Sequence, residues 1–98
     1  MTGQQRSSAD LDPRRRKLLF RCWHRGLREM DLILGRFADA EITGLSEVEI
    51  AEFEWLIDAP DPELFAWLTG AKDTPDTYDT AVFRKLRQFH SYAGPIHI

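Results

Sequence analysis

Few residues in this chain have types and spacings that could do chemistry. Cys22 is flanked by Arg21 and His24, and cations beside a thiol favour the nucleophilic thiolate. As a metal pair Cys22 and His24 fail, because on a helix positions i and i+2 do not share a face. A cysteine in the company of Phe20 and Trp23 reads more simply as a small core residue. His90 and His97 are separated by Gly94 and Pro95, which stop a helix, and no spacing matches a zinc site. The six glycines are scattered, so no phosphate-cradling loop is present. What remains is "HRGLRE", residues 24–29, a glycine set among Arg25, Arg28 and Glu29. If the stretch is helical, Arg25, Gly26 and Glu29 fall within an arc of about 100°, and Arg25 and Glu29 form an i, i+4 pair. That arrangement is a notch for close approach of another backbone, with a cation and an anion beside it. Alternatively, Gly26 simply ends one helix as a left-handed residue and lets the chain turn into the next. On the residues alone both readings stand.

The elements that must position this stretch are helices. Asp12 is an N-cap and Pro13 a first helical residue, and apolar residues recur at 19, 23, 27, 30, 34 and 37, the spacing of a helix. Gly26 divides the run into helices over about 13–24 and 27–39. Ser46 with Glu49 forms a capping box for a helix over about 47–58. That helix is apolar on two sides, Val48, Ala51 and Trp55 on one and Ile50, Phe53 and Ile57 on the other. Such a helix is either sandwiched or has a side awaiting a partner. In "APDPELFAWLTG", Asp61 caps, Pro62 opens and Gly70 closes a short helix that directs Leu64, Phe65, Trp67 and Leu68 inward. A last helix is expected over about 76–91, with Tyr78, Val82, Leu86 and Phe89 on one face. No strand pattern and no internal repeat is found. The expected fold is all-α, a single-domain five-helix bundle over residues 12–98 behind a disordered polar arm, 1–11.

Composition narrows the function classes. With 98 residues, 43% of them hydrophobic and 30% charged, one soluble domain with a modest core is expected. A net charge of −3 is not the profile of a nucleic-acid binder. The charge is uneven, though. Residues 13–28 carry seven Arg or Lys and no acid, and residues 39–63 carry nine Asp or Glu and no base. Such polarity steers charged partners. A single cysteine allows no internal disulfide and fits a reducing compartment. No apolar run approaches the roughly 20 residues needed to span a bilayer, and the first residues lack the apolar stretch of a signal peptide. The expectation is a cytoplasmic protein with no membrane insertion and no nucleic-acid partner.

"HRGLREMDLIL" resembles the signature of the small succinate dehydrogenase flavinylation factors, whose motif is Arg-Gly-x-x-Glu, here Arg25, Gly26 and Glu29. Two further stretches are similar to that family in order and spacing, "DPELFAWL" at 61–68 and "GPI" at 94–96. The resemblance covers about residues 14–98. It implies a five-helix bundle, in agreement with the helix count. It also implies an assembly factor that binds the flavoprotein subunit of succinate dehydrogenase, or a homologue such as fumarate reductase, and promotes covalent attachment of FAD to a histidine of that client. By the same resemblance the factor is not an enzyme and holds no cofactor stably, FAD being attached to the client, and no metal is expected. Arg25, Gly26 and Glu29 are then partner-binding residues, with Gly26 as the notch, and Arg28 and Asp61 join them. The rival classes are a generic helical adaptor or antitoxin-like module using the same face, and a nucleic-acid binder using residues 14–17.

Overall fold

The computed structural model describes residues 10–93, with side chains as far as His90. Five α-helices follow in order: α1 (Pro13–Trp23), α2 (Arg28–Glu41), α3 (Glu47–Ile57), α4 (Asp61–Thr69) and α5 (Ala81–Ala93), with short 3-10 turns at Ile42–Gly44 and Asp76–Tyr78. No strand occurs among the described residues, so the all-α, five-helix class expected from the sequence is the one observed. The helices fall into two compact units, one ending at Leu45 and the other beginning at Ser46.

In the first unit, Asp12 accepts a hydrogen bond from the Arg15 amide at 3.3 Å and Pro13 occupies the first turn, the local start signal read from the sequence. Leu18, Leu19, Cys22 and Trp23 of α1 are buried with Met30, Ile33, Leu34, Phe37 and Ala38 of α2. The two helices approach closely because α2 presents Gly35 to the Trp23 indole, and a Cβ at Gly35 would overlap the ring. The indole is fixed by its Nε1, which donates to Asp39 Oδ1 at 3.1 Å. The basic helix start has an internal use. Arg15 donates to the carbonyls of Ile42 (3.1 Å) and Leu45 (2.7 Å) and pairs with Asp12 at 3.0 Å. Arg16 donates to the Leu11 carbonyl at 2.9 Å. Hydrogen bonds to charged donors are the stronger ones, and those of Arg15 tie α1 to the segment that follows α2. Of the arm expected at 1–11, residues 1–9 lie outside the described residues, whereas Leu11 is buried and belongs to the folded part.

In the second unit, the Ser46–Glu49 capping box is present in full. Ile50, Phe53, Leu56 and Ile57 of α3 are buried, while Val48 and Trp55 are exposed. The helix is therefore covered on one of its two apolar sides. For α4 the N-cap is Pro60 rather than Asp61, which is instead the first helical residue. Gly70 closes that helix at φ +83°, a conformation that favours glycine. Leu64, Trp67 and Leu68 are buried, while Phe65 is half-buried.

The last helix is shorter than expected. Residues 76–78 form a separate 3-10 turn and α5 begins at Ala81, because the Thr80 hydroxyl accepts from the Phe83 amide at 3.2 Å and starts a new helix there. Tyr78 therefore leaves the α5 face and lies between two tryptophans, stacked on Trp55 and tilted against Trp67. Val82, Phe83 and Leu86 carry α5 into the core, while Phe89 is half-buried. The segment "GPI", 94–96, lies outside the described residues.

Glu49 joins α3 to α5 through a 2.7 Å pair with Lys85. That hydrogen bond, with the Ser46 amide, holds the Glu49 carboxyl below the usual carboxylate range. A depressed folded-state pKa contributes stability that is present above the unfolded value and lost as pH falls through the folded one. Thermal melting is expected to drop as pH is lowered from about 5 toward 3, a window set by carboxylate titration. Glu49→Gln keeps an acceptor for the capping box but removes the charge. It should cost less than about 1 kcal/mol at pH 7, with the gap to wild type closing at the acid end. A gap that stays constant across that range would remove the Lys85 pair from the account.

Candidate partner-binding site

The chain leaves α1 at Trp23, with His24 as C-cap, and enters α2 with Leu27 as N-cap. Residues 24–27 are therefore a loop, and of the two readings the sequence left open the helix-ending one is observed: Arg25, Gly26 and Glu29 do not share one helical face. Gly26 has φ +95°, well inside the region that L side chains rarely adopt. The glycine is required by the turn itself. It is also exposed, and a Cβ built on it would meet nothing within 4 Å, so the space above it is open to another molecule.

Each sequence-derived site residue can be placed. Arg25 is half-buried in the loop, and its amide donates to Asp31 Oδ1 at 2.8 Å. Arg28 is the first residue of α2 and exposed, and Glu29 is the second and half-buried. Glu29 and Asp31 sit in the first turn of α2, where the helix dipole favours anions. The structure thus brings Arg25, Gly26, Arg28 and Glu29 together in one loop and the turn that follows it. Asp61 belongs to the other unit, at the start of α4.

Asp31 was not singled out from the sequence, although it is the residue that fastens the loop. Its signal, an acid in a helix first turn, is too common to stand out. Two apolar neighbours were also missed. Leu27, read as part of the core stripe, is 49% exposed, and Phe20 is 58% exposed. Phe20 stacks on His24 with ring centroids 3.9 Å apart, and His24 Nδ1 lies 2.8 Å from the Phe20 carbonyl. The loop is thus an open glycine beside exposed apolar groups and cations, with its backbone pinned.

The alternatives for chemistry find little support here. Cys22 is fully buried, and burial pushes its thiol far above the ordinary thiol range, away from the reactive thiolate. No group of three or more His, Cys, Asp or Glu residues able to hold a metal occurs among the described residues. No helix there is long and apolar enough to cross a membrane.

Fold and loop together define an all-α protein whose first interhelical loop is pinned by Asp31 and open above Gly26. Comparison with known proteins agrees in kind. Residues 16–90 match the family model described as flavinator of succinate dehydrogenase, and the chain belongs to that family. It is 36% identical over 77 residues to the FAD assembly factor SdhE of Acetobacter pasteurianus, covering 79% of this chain and 71% of that one. It is 34% identical over 88 residues to the mitochondrial succinate dehydrogenase assembly factor 2 of Dictyostelium discoideum, covering 90% of this chain and 62% of that one. The corresponding protein of Debaryomyces hansenii is 34% identical, with 61% of its length covered. The chain thus spans about three fifths of these two mitochondrial relatives. No solved structure matches it.

Proposed function

We propose that this protein is an assembly factor that binds the flavoprotein subunit of succinate dehydrogenase, or a homologue such as fumarate reductase, in the cytoplasm. It promotes covalent attachment of FAD to that client. The reaction belongs to the client: the factor acts as no enzyme and holds no FAD stably. Its contribution is to order the client's flavin site so that the client's own groups are positioned to react. Partner binding falls to Arg25, Gly26, Arg28 and Glu29, with Asp61 as a contact on the second unit. Family membership supports this reading. The observation that carries it is the Arg-Gly-x-x-Glu loop itself: an exposed glycine at φ +95° with open space above it, pinned by Asp31.

The test separates folding from contact. Gly26→Ala places a side chain in a disfavoured backbone region and is expected to destabilise the protein by about 1 kcal/mol or more. Client flavinylation, read as covalent flavin fluorescence on denaturing gels, should fall even at temperatures where the variant remains folded. Gly26→Arg should abolish it. Glu29→Gln keeps shape and removes charge, and a loss of client binding at unchanged melting temperature would place Glu29 in the interface. Folded Gly26 variants that flavinylate the client at the wild-type level would sink the proposal.

A further inference from the structure

The exposed side of α3 carries an apolar stripe. At about 100° per residue, Val48, Ala51 and Trp55 lie within an arc of about 60°. They stand in the a, d, a spacing of a helix-pairing seam. Val48 is 68% exposed and Trp55 50%, and Ala51, also exposed, is small enough to let a partner backbone approach. The opposite side of the helix is the one buried, through Ile50, Phe53 and Ile57.

Trp55 is held in place. Its Nε1 donates to the Thr77 carbonyl at 3.0 Å. Its ring stacks on Tyr78 at 5.3 Å and 14°, and Tyr78 in turn lies 4.7 Å from the buried Trp67 ring. A half-exposed tryptophan anchored to the core through a second aromatic loses little freedom when a partner covers it. Such pre-organised aromatics carry much of the binding energy at interfaces.

The charge around the seam states what would cover it. In seam register, Glu47 and Glu54 occupy g positions and Glu52 the e position, and α3 contains no Lys or Arg. Glu52 also accepts from the Val82 amide at 3.3 Å, which fixes it beside the seam. Charges at e and g select the partner in paired helices, and like charges across an interface are strongly disfavoured.

We propose that this face of α3 binds an amphipathic helix of another protein, one that brings an apolar stripe flanked by Lys or Arg. The surface lies on the second unit and its existence does not depend on the role of the Gly26 loop. The test titrates the full chain with a synthetic peptide of about three heptads, apolar at a and d and Lys at e and g, against a counterpart with Glu at e and g. Binding of the Lys peptide should shift the backbone amides of Val48, Ala51 and Trp55 and the Trp55 indole, and weaken as salt is raised. Val48→Glu, at a position already exposed, should leave melting within a few degrees of wild type yet weaken that binding at least tenfold. Equal binding of the Glu peptide, no binding of the Lys peptide, or shifts located elsewhere would overturn the proposal. So would concentration-dependent dimerisation in sedimentation that Val48→Glu abolishes, because the seam would then belong to a second copy.

Discussion

Trp67→Ala is expected to lower stability by about 3–5 kcal/mol, the range for removing a large buried aromatic. Trp67 is 6% exposed on α4, and it is the buried end of the ring series that runs through Tyr78 to Trp55. Its removal leaves a void and also withdraws the surface on which Tyr78 rests. For a domain of this size 1 kcal/mol corresponds to about 4–8 °C of melting temperature, so a fall of more than about 12 °C should be seen. Trp55→Ala provides the contrast. That ring is half-exposed, so on the scale of buried apolar area its loss should cost about half as much. Comparable melting losses for the two variants would show that Trp67 is not the buried member of the series.

Gly35→Ala is expected to destabilise by about 1–3 kcal/mol, the cost of forcing an extra methyl group into a packed core. By helix propensity alone the same change would stabilise by about 1 kcal/mol, so the sign decides which effect wins. The structure favours packing. The added Cβ would overlap the Trp23 indole, and the ring cannot swing aside without giving up its bond to Asp39. A double-mutant cycle isolates the effect. With Trp23 already reduced to Ala the methyl has room, and Gly35→Ala should become neutral or mildly stabilising. Additive losses in the cycle would mean that Trp23 is not what Gly35 accommodates.

These two glycines show where reading the sequence succeeds and where it stops. On a continuous helical face, Gly26 would be the notch that admits a close neighbour. The close approach within the fold is instead at Gly35, which nothing in the local sequence distinguishes from any other helix glycine. What marks it is a tryptophan twelve residues earlier, and only the pairing of α1 with α2 brings the two together. Gly26 is the residue that makes the turn between those helices, one of the two readings the residues alone left open.

The sequence by itself determined the all-α class, the five helices and most of their ends. The signals for these are local: the Asp12 and Ser46 caps, Pro13 and Pro62 in first turns, and Gly70 at a helix end each act on backbone groups within a few residues. It also singled out "RGLRE" as the stretch to explain. Only the tertiary structure decided which apolar residues are covered. Periodicity placed Leu27 with the core stripe and left α3 with two equal apolar sides, but spacing says which residues share a face, not what lies against it. Burial assigned Ile50 and Phe53 to the core and left Leu27, Val48 and Trp55 exposed. Likewise the long side chain of Arg15, at the start of α1, reaches the carbonyls of Ile42 and Leu45. Those acceptors are 27 and 30 residues away along the chain, and folding alone brings them within a hydrogen bond's length.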